Sequence, residues 1–247
     1  MRAKIVALDV LLVAAILGVW LYAVGPGEVS PVVLPRPESV VESLEALLQN
    51  STIWSGLWLT LLEILAAFAI AAVTGIAAGF YCSRTPLRGR VAEPLFAWGY
   101  LAPLILFYPL FILWIGIGPW SKIIYAGANA FFPVALLSLR GFRAIDQRYV
   151  RVAHAFGASK GQTDRLVKIQ AALPMVMAAL RIGFALTIIG VILTEMLAAE
   201  RGLGYELARA SQTLQSANAF ALIAILLVVV AALQLTIDRV GRAPHQD

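Results

Sequence analysis

A single cysteine, Cys82, leaves no partner for an internal disulfide, and two histidines, His154 and His245, are too few to suggest a zinc site. Charge is scarce as well. Asp, Glu, Lys and Arg make up 13% of the 247 residues, where a soluble domain carries about a quarter. The phosphate loop G-x-x-x-x-G-K-[ST] is absent, and the dipeptide Gly-Lys occurs nowhere. There is no H-E-x-x-H and no Ser-His-Asp set with plausible geometry. The chain is therefore expected to hydrolyse no nucleotide, to bind no metal or other cofactor of its own, and to be no enzyme. Nothing points to nucleic acid.

What is abundant is apolar sequence, 61% of the residues, with a mean hydropathy of +0.85. Crossing a hydrocarbon core about 30 Å thick takes roughly 20 residues of helix. Six runs approach that length: 5–24, 57–82, 95–117, 123–139, 175–197 and 217–237. They predict an all-α polytopic membrane protein with about six transmembrane helices, set in the lipid bilayer as one domain over 1–247. Pro103, Pro109 and Pro133 interrupt the third and fourth runs. Arg2 and Lys4 precede the first, as in a signal peptide. That run is too long for an h-region, carries Asp9, and ends in Trp20, Tyr22 and Gly25-Pro26-Gly27 without a small-x-small cleavage site. It reads as an uncleaved span.

With the N-terminus inside, 15 of the 19 Lys and Arg fall on the cytoplasmic side, and Arg36, Lys122, Arg201 and Arg209 remain outside. That asymmetry predicts that both termini are cytoplasmic. Outside, Pro31, Pro35 and Pro37 lead into a short amphipathic helix. Val40, Val41, Leu44, Leu47 and Leu48 share one face of it, and Glu38, Glu42 and Glu45 lie off that face. Such a helix serves as a gate or docking surface, or simply lies at the membrane interface. Gly75-x-x-x-Gly79 permits close helix approach, and Gly202-Leu203-Gly204-Tyr205 implies a tight backbone feature outside.

The stretch 140–174 stands apart from the rest of the chain. Seven Lys and Arg against two Asp suit a cytoplasmic loop. Ile145, Tyr149, Val152 and Phe156 recur at helical spacing, and Gly157 offers a helix stop. Ser159 with Gln162 has the form of a capping box opening a second helix. A basic helix–turn–helix presented to the cytosol suggests a protein partner.

Ionisable groups inside a bilayer cost roughly 2.5–3.5 kcal/mol each at a helix centre, so Glu63 and Glu195 are candidate functional residues. Asp9 sits close enough to the cytoplasmic face to reach Lys4 or water. Trp98, Tyr100, Tyr108, Trp114 and Asn129 are candidates for lining a translocation path, the alternative for each being lipid-facing or interfacial packing. An ion-coupled transporter would show more acidic or paired groups at mid-membrane, so the count favours an external motor. An ion-coupled transporter and a membrane scaffold for a cytosolic partner remain the alternatives.

The stretches GASKGQTDRLVKIQAALP and ALRIGFALTIIGVILTEMLAAERGLGY resemble the permease subunits of binding-protein-dependent ABC importers. The similar branch takes up nitrate, sulfonates, taurine and some vitamin precursors. VLPRPESVVESLEALL and LFILWIGIGPWSKIIYAGANAFFPVALLSLRGFRAID resemble the same branch, so the likeness runs from about Leu34 onward. It implies a bacterial-type inner membrane location and import of a small organic solute or anion. The implied partners are a second permease subunit, identical or different, two copies of an ATPase that uses the ATP, and an external solute-binding protein.

The family's loop motif E-A-A-x3-G-x9-I-x-L-P forms a coupling helix that docks on the ATPase. By this resemblance Tyr149, Arg151, Val152, Ala153, Phe156, Gly157, Ala158 and Ser159 are the expected coupling residues. The motif glycine is Gly157, and Val167 takes the isoleucine position. Arg151 stands where the motif has Glu, Val152 where it has the first Ala, and Ile169-Gln170 where it has Leu-Pro, although Leu173-Pro174 follows. The family also tends to have Arg at Glu63. Arg151 reverses a charge at the expected interface. Compensating acidic residues on the ATPase, a degenerate half of a heterodimer, a paralogue with weakened coupling, or a solvated loop cation would each account for it.

Overall fold

The computed structural model describes residues 11, 15, 17–27 and 29–240. Half of the first apolar run, including Asp9, lies outside the described residues, as do Arg2, Lys4, Arg242 and His245. Every regular element among the described residues is helical. Residues 17–24 form the end of a helix, and Trp20 Nε1 donates to the Pro35 carbonyl at 3.0 Å.

The external amphipathic segment is α1, Pro37–Gln49. Proline in its first turn costs nothing there, because that N–H has no helical partner in any case. Asn50 ends α1 and caps α2, Ser51–Ser83, by accepting from the Thr52 amide at 2.9 Å. Thr85 then caps α3, Pro86–Leu101. The third apolar run is not a straight span. At Ala102-Pro103 the helix breaks, continues as a 3₁₀ turn over Leu104–Phe107 and re-forms as α4, Tyr108–Ile115, after a 79° bend. Pro103 supplies no N–H and forces the preceding residue out of helical geometry, which explains the break.

Gly116 and Gly118 lead into α5, Pro119–Arg143, which starts four residues before the expected fourth span. Next come α6, Gln147–Ala155, and α7, Lys160–Ala198, a single 39-residue helix with one π turn at Asp164–Lys168. The second helix of the cytoplasmic-type loop is thus the base of the fifth span rather than a separate element. Pro174 does not end it. The chain closes with α8, Leu203–Gln212, and α9, Ser216–Val240. Among the described residues four helices, α2, α5, α7 and α9, are long and apolar enough to cross a membrane, and the bent pair α3–α4 would make a fifth.

α5 lies at the centre, packed between α2 and α7. Two thirds of its apolar window is buried, against 17% for α9, so α9 shows most of its surface to the surroundings. Glycines allow this closeness. A Cβ on Gly79 of α2 would meet Ser138 of α5 at 2.7 Å, and one on Gly183 of α7 would meet Val134 at 2.4 Å. On the far side, α1 rests on α9, and its Leu47 packs against the cluster of Ile53, Leu203, Leu207 and Leu222.

Candidate functional site

Two of the polar clusters stand at the two ends of α7. At its N-terminal end, Asp146 caps α6 through the Arg148 amide at 2.8 Å. Gly157 ends α6 with φ +79°, its amide donating to His154 while the next amide, of Ala158, donates to Ala153, both at 3.0 Å. This paired closure is a Schellman motif, which a glycine in left-handed geometry makes without steric cost. Ser159 and Gln162 then exchange the two bonds of a capping box at 2.8 and 3.3 Å, and α7 begins.

Asp164 ties this base to its surroundings, meeting Lys168 at 2.6 Å and Arg84 of the α2–α3 turn at 3.3 Å. The base of α7 is thus tied to the α2–α3 turn, and the apolar side chains of the loop are uncovered: Phe156 is 88% exposed, and Tyr149, Val152 and Leu166 are all exposed. Ile145 separates from that set. It lies before α6 and packs into a core with Phe142, Ala172 and Val176. Arg151 and Ser159 are exposed, and Ala153 and Ala158 are half-buried.

At the other end, α7 delivers Glu195 into the protein interior. Glu63 of α2 and Lys122 in the first turn of α5 meet it there. Lys122 Nζ stands 2.5 Å from Glu63 Oε1 and 3.9 Å from Glu195 Oε1, with all three side chains at most 3% exposed. Glu195 has further partners. Its Oε2 accepts the Gly204 amide at 2.8 Å, and its Oε1 accepts the Thr60 hydroxyl at 2.8 Å. The same hydroxyl accepts the Leu203 amide at 3.0 Å.

The Gly202-Leu203-Gly204 turn is therefore a seat for a carboxylate. Gly202 has φ +122°, and a Cβ there would fall 2.2 Å from Glu195 Oε1. Side chains other than glycine are excluded on both counts. Burying ions without partners costs several kcal/mol each, so the hydrogen bonds and the shared ammonium are what make the cluster tolerable.

Of the residues expected to line a path, Glu63, Glu195 and Tyr108 come together. Tyr108 is fully buried, its ring edge-on to Tyr125 at 5.3 Å, and its hydroxyl makes no hydrogen bond among the described residues. Trp98, Tyr100 and Trp114 lie on exposed surface, well away from it in burial, and Asn129 is half-buried two turns along α5 from Lys122. Sequence reasoning assigned Lys122 to an external loop, but α5 begins at Pro119 and carries it inside. Arg181 was counted as cytoplasmic and instead sits far along α7, half-buried. Thr60 went unnoticed because a lone threonine in an apolar helix carries no signal. For Lys122 the signal was Gly-Pro at 118–119, which starts a helix at the proline.

Comparison with known proteins places these features. Residues 71–244 match the family described as binding-protein-dependent transport system inner membrane component. The taurine transport system permease protein TauC of Escherichia coli (strain K12) is 30% identical over 96% of this chain and 88% of its own length. The putative aliphatic sulfonates transport permease protein SsuC of Bacillus subtilis (strain 168) is 29% identical over 89% of this chain and 79% of its own. The formylaminopyrimidine transport permease protein ThiX of Halalkalibacterium halodurans is 30% identical over 71% of this chain and 70% of its own. Among solved structures, an inward-facing conformation of the MetNI methionine ABC transporter superposes with a TM-score of 0.66 at 20% identity, covering 79% of this chain and 97% of that one.

Proposed function

The chain belongs to the family of inner membrane components of binding-protein-dependent transport systems, and from that premise we propose how it is energised, what it carries and how it sits in the membrane. It is a multi-pass permease of an ABC importer. That membership favours this reading over the ion-coupled transporter and the scaffold.

The energy enters, in this proposal, through the loop at 140–174. One observation carries the reading: an exposed apolar stripe of Tyr149, Val152 and Phe156 on a helix closed at both ends and braced through Arg84 and Asp164. An uncovered apolar surface on a braced helix fits a groove on a partner protein. The partner is an ATPase subunit, two copies per transporter, which uses the ATP while this chain binds no cofactor. A second permease subunit, identical or different, completes the path, and a solute-binding protein delivers cargo outside.

The solute proposed is a small organic anion or heterocycle of the kind named for the relatives: a taurine, an aliphatic sulfonate or a formylaminopyrimidine. Trp98, Tyr100 and Asn129 are proposed to face the path across the assembled dimer. Glu63, Tyr108 and Glu195 support its wall from within. With buried Lys122 and half-buried Arg181 left out, the Lys and Arg count still favours cytoplasmic termini, 14 to 3.

Co-expression with an ATPase subunit and a solute-binding protein of the same organism tests the reading. Expected is a complex that co-purifies in detergent and hydrolyses ATP faster when the loaded binding protein is added. A thermal-shift screen of the binding protein against sulfonates and pyrimidines then names the solute. A permease that purifies alone at any ATPase concentration would overturn the coupling assignment.

A further inference from the structure

Lys122 is explained neither by the loop nor by the path. It stands in the first turn of α5, is 2% exposed, and bridges carboxylates from the helices on either side. Those helices differ in what holds them. Glu195 of α7 has the Gly204 amide and the Thr60 hydroxyl as partners besides Lys122. Glu63 of α2 is held by Lys122, whose Nζ is 2.5 Å from its Oε1, and no backbone amide or hydroxyl donates to it among the described residues.

The same helix that begins in the exposed loop ends at this cluster. α7 is continuous from Lys160 to Ala198, and Glu195 lies about 50 Å along it at 1.5 Å per residue. A displacement of the loop is thus delivered to Glu195 along one helix. At that end a cleft of about 250 Å³ is lined by Leu59, Gly118, Lys122, Ala199 and Arg201, so the junction of α2, α5 and α7 borders open space.

Charge terms at this junction oppose one another. Two carboxylates share one ammonium. Moving α7 away weakens the long 3.9 Å attraction of Lys122 for Glu195 but also relieves the repulsion between Glu195 and Glu63. The 2.5 Å pair of Lys122 with Glu63 joins α5 to α2, so a movement of α7 alone does not separate it. Opposed terms of this kind suit an element with two arrangements close in energy.

We propose that Lys122 is a positioning residue for transport: it clasps α2 to α7 at the end of the bundle remote from the loop, and the clasp loosens when the loop is driven. This rests on the coupling role given above to residues 140–174. Thr60 is the second member of the clasp, since its hydroxyl joins α2 to Glu195 and to the Leu203 amide.

The test places Leu59→Cys and Ala199→Cys across the cleft in a Cys82→Ser background and measures cross-linking by a short bismaleimide in the ATPase complex. With Lys122 present, yield should be high without nucleotide and several-fold lower after trapping with ATP and vanadate. Lys122→Met should give the low yield in both states, and Lys122→Arg should restore the response to nucleotide. If Lys122→Met does not assemble, the double variant Glu63→Gln with Lys122→Met removes the pair together and carries the same expectation. A purely structural lysine would lower the melting temperature of these variants and leave the nucleotide response as in the parent. That result, or a parent whose yield ignores nucleotide, overturns the clasp. Co-purification of the ATPase, scored in the same preparations, separates this outcome from failure of the coupling assignment itself.

Discussion

Gly79 of α2 faces Ser138 of α5 so closely that a Cβ on the glycine would stand 2.7 Å from that of the serine. The same Cβ would lie 2.8 Å from the Ala135 carbonyl oxygen, and backbone cannot step aside as a flexible side chain can. Gly79→Val should therefore destabilise the bundle by about 1–3 kcal/mol, the usual range for overpacking. Gly161, with nothing within 4 Å, is the control. It lies in a helix, so Gly161→Ala should be neutral or stabilise by about 0.5–1 kcal/mol. Thermal unfolding in detergent measures both, and equal melting temperatures for the two variants would contradict the packing.

Glu63 and Lys122 should behave as a unit. Removing one member of a buried ion pair typically costs about 3–5 kcal/mol, because the other is left charged without a partner. Glu63→Ala and Lys122→Ala are each expected in that range, with the double variant far below their sum. Glu63→Gln, which keeps the shape, should lower uptake while membrane abundance holds. Additive losses in the cycle would show that the two side chains act independently.

Orientation is open to direct labelling. In a Cys82→Ser background, a cysteine at position 160 should react with a membrane-impermeant maleimide only in inverted vesicles. One at position 43 should react only from outside. The expectation follows from the Lys and Arg asymmetry, and reversal at either position would overturn it.

Much of the fold was legible because membrane helices and caps are local. Apolar length located α2, α5, α7 and α9 to within a few residues at most ends. Gly157 and the Ser159–Gln162 pair announced a turn whose geometry depends only on its own residues. The Gly75 and Gly79 spacing announced a close helix contact, though not with which helix. Where judgement of distance in space was needed, the sequence ran out. Glu63, Lys122 and Glu195 are 59 and 73 positions apart along the chain, and only tertiary packing brings them together. The bend at Ala102-Pro103 and the survival of α7 through Pro174 illustrate the same limit, since proline breaks one helix and is carried inside the other.

Gly157 carries a sharper expectation than the glycines of the bundle. Its φ of +79° lies where β-branched residues are strained by about 1–3 kcal/mol, although open space surrounds it. Gly157→Val should thus leave the bundle's unfolding free energy within about 1 kcal/mol of the parent, because the turn can rearrange into that space, but misdirect α6 relative to α7. Pull-down with the ATPase should fall several-fold. Undiminished pull-down would mean that the turn is not needed for docking.

Arg151 offers the most informative substitution. It is exposed on α6 beside Val152, on the helix whose apolar side chains Tyr149, Val152 and Phe156 are proposed to enter the ATPase groove. The family motif has Glu at this position, so a groove adapted to Glu would meet a cation of opposite sign. Desolvating that cation without a partner would cost more than the apolar contacts around it return, because unpaired buried charge is the more expensive of the two. A cognate ATPase that binds well must then present an acidic residue to Arg151. Arg151→Glu is accordingly expected to weaken the complex at least tenfold, and the matching acid-to-base change on the ATPase to restore it. The readout is affinity between purified permease in nanodiscs and the ATPase, measured at low and at physiological salt, since a partly exposed ion pair weakens with screening. Tighter binding by Arg151→Glu, with faster uptake, would instead mark the arginine as a departure that the ATPase never accommodated, as in a subordinate half of a heterodimer.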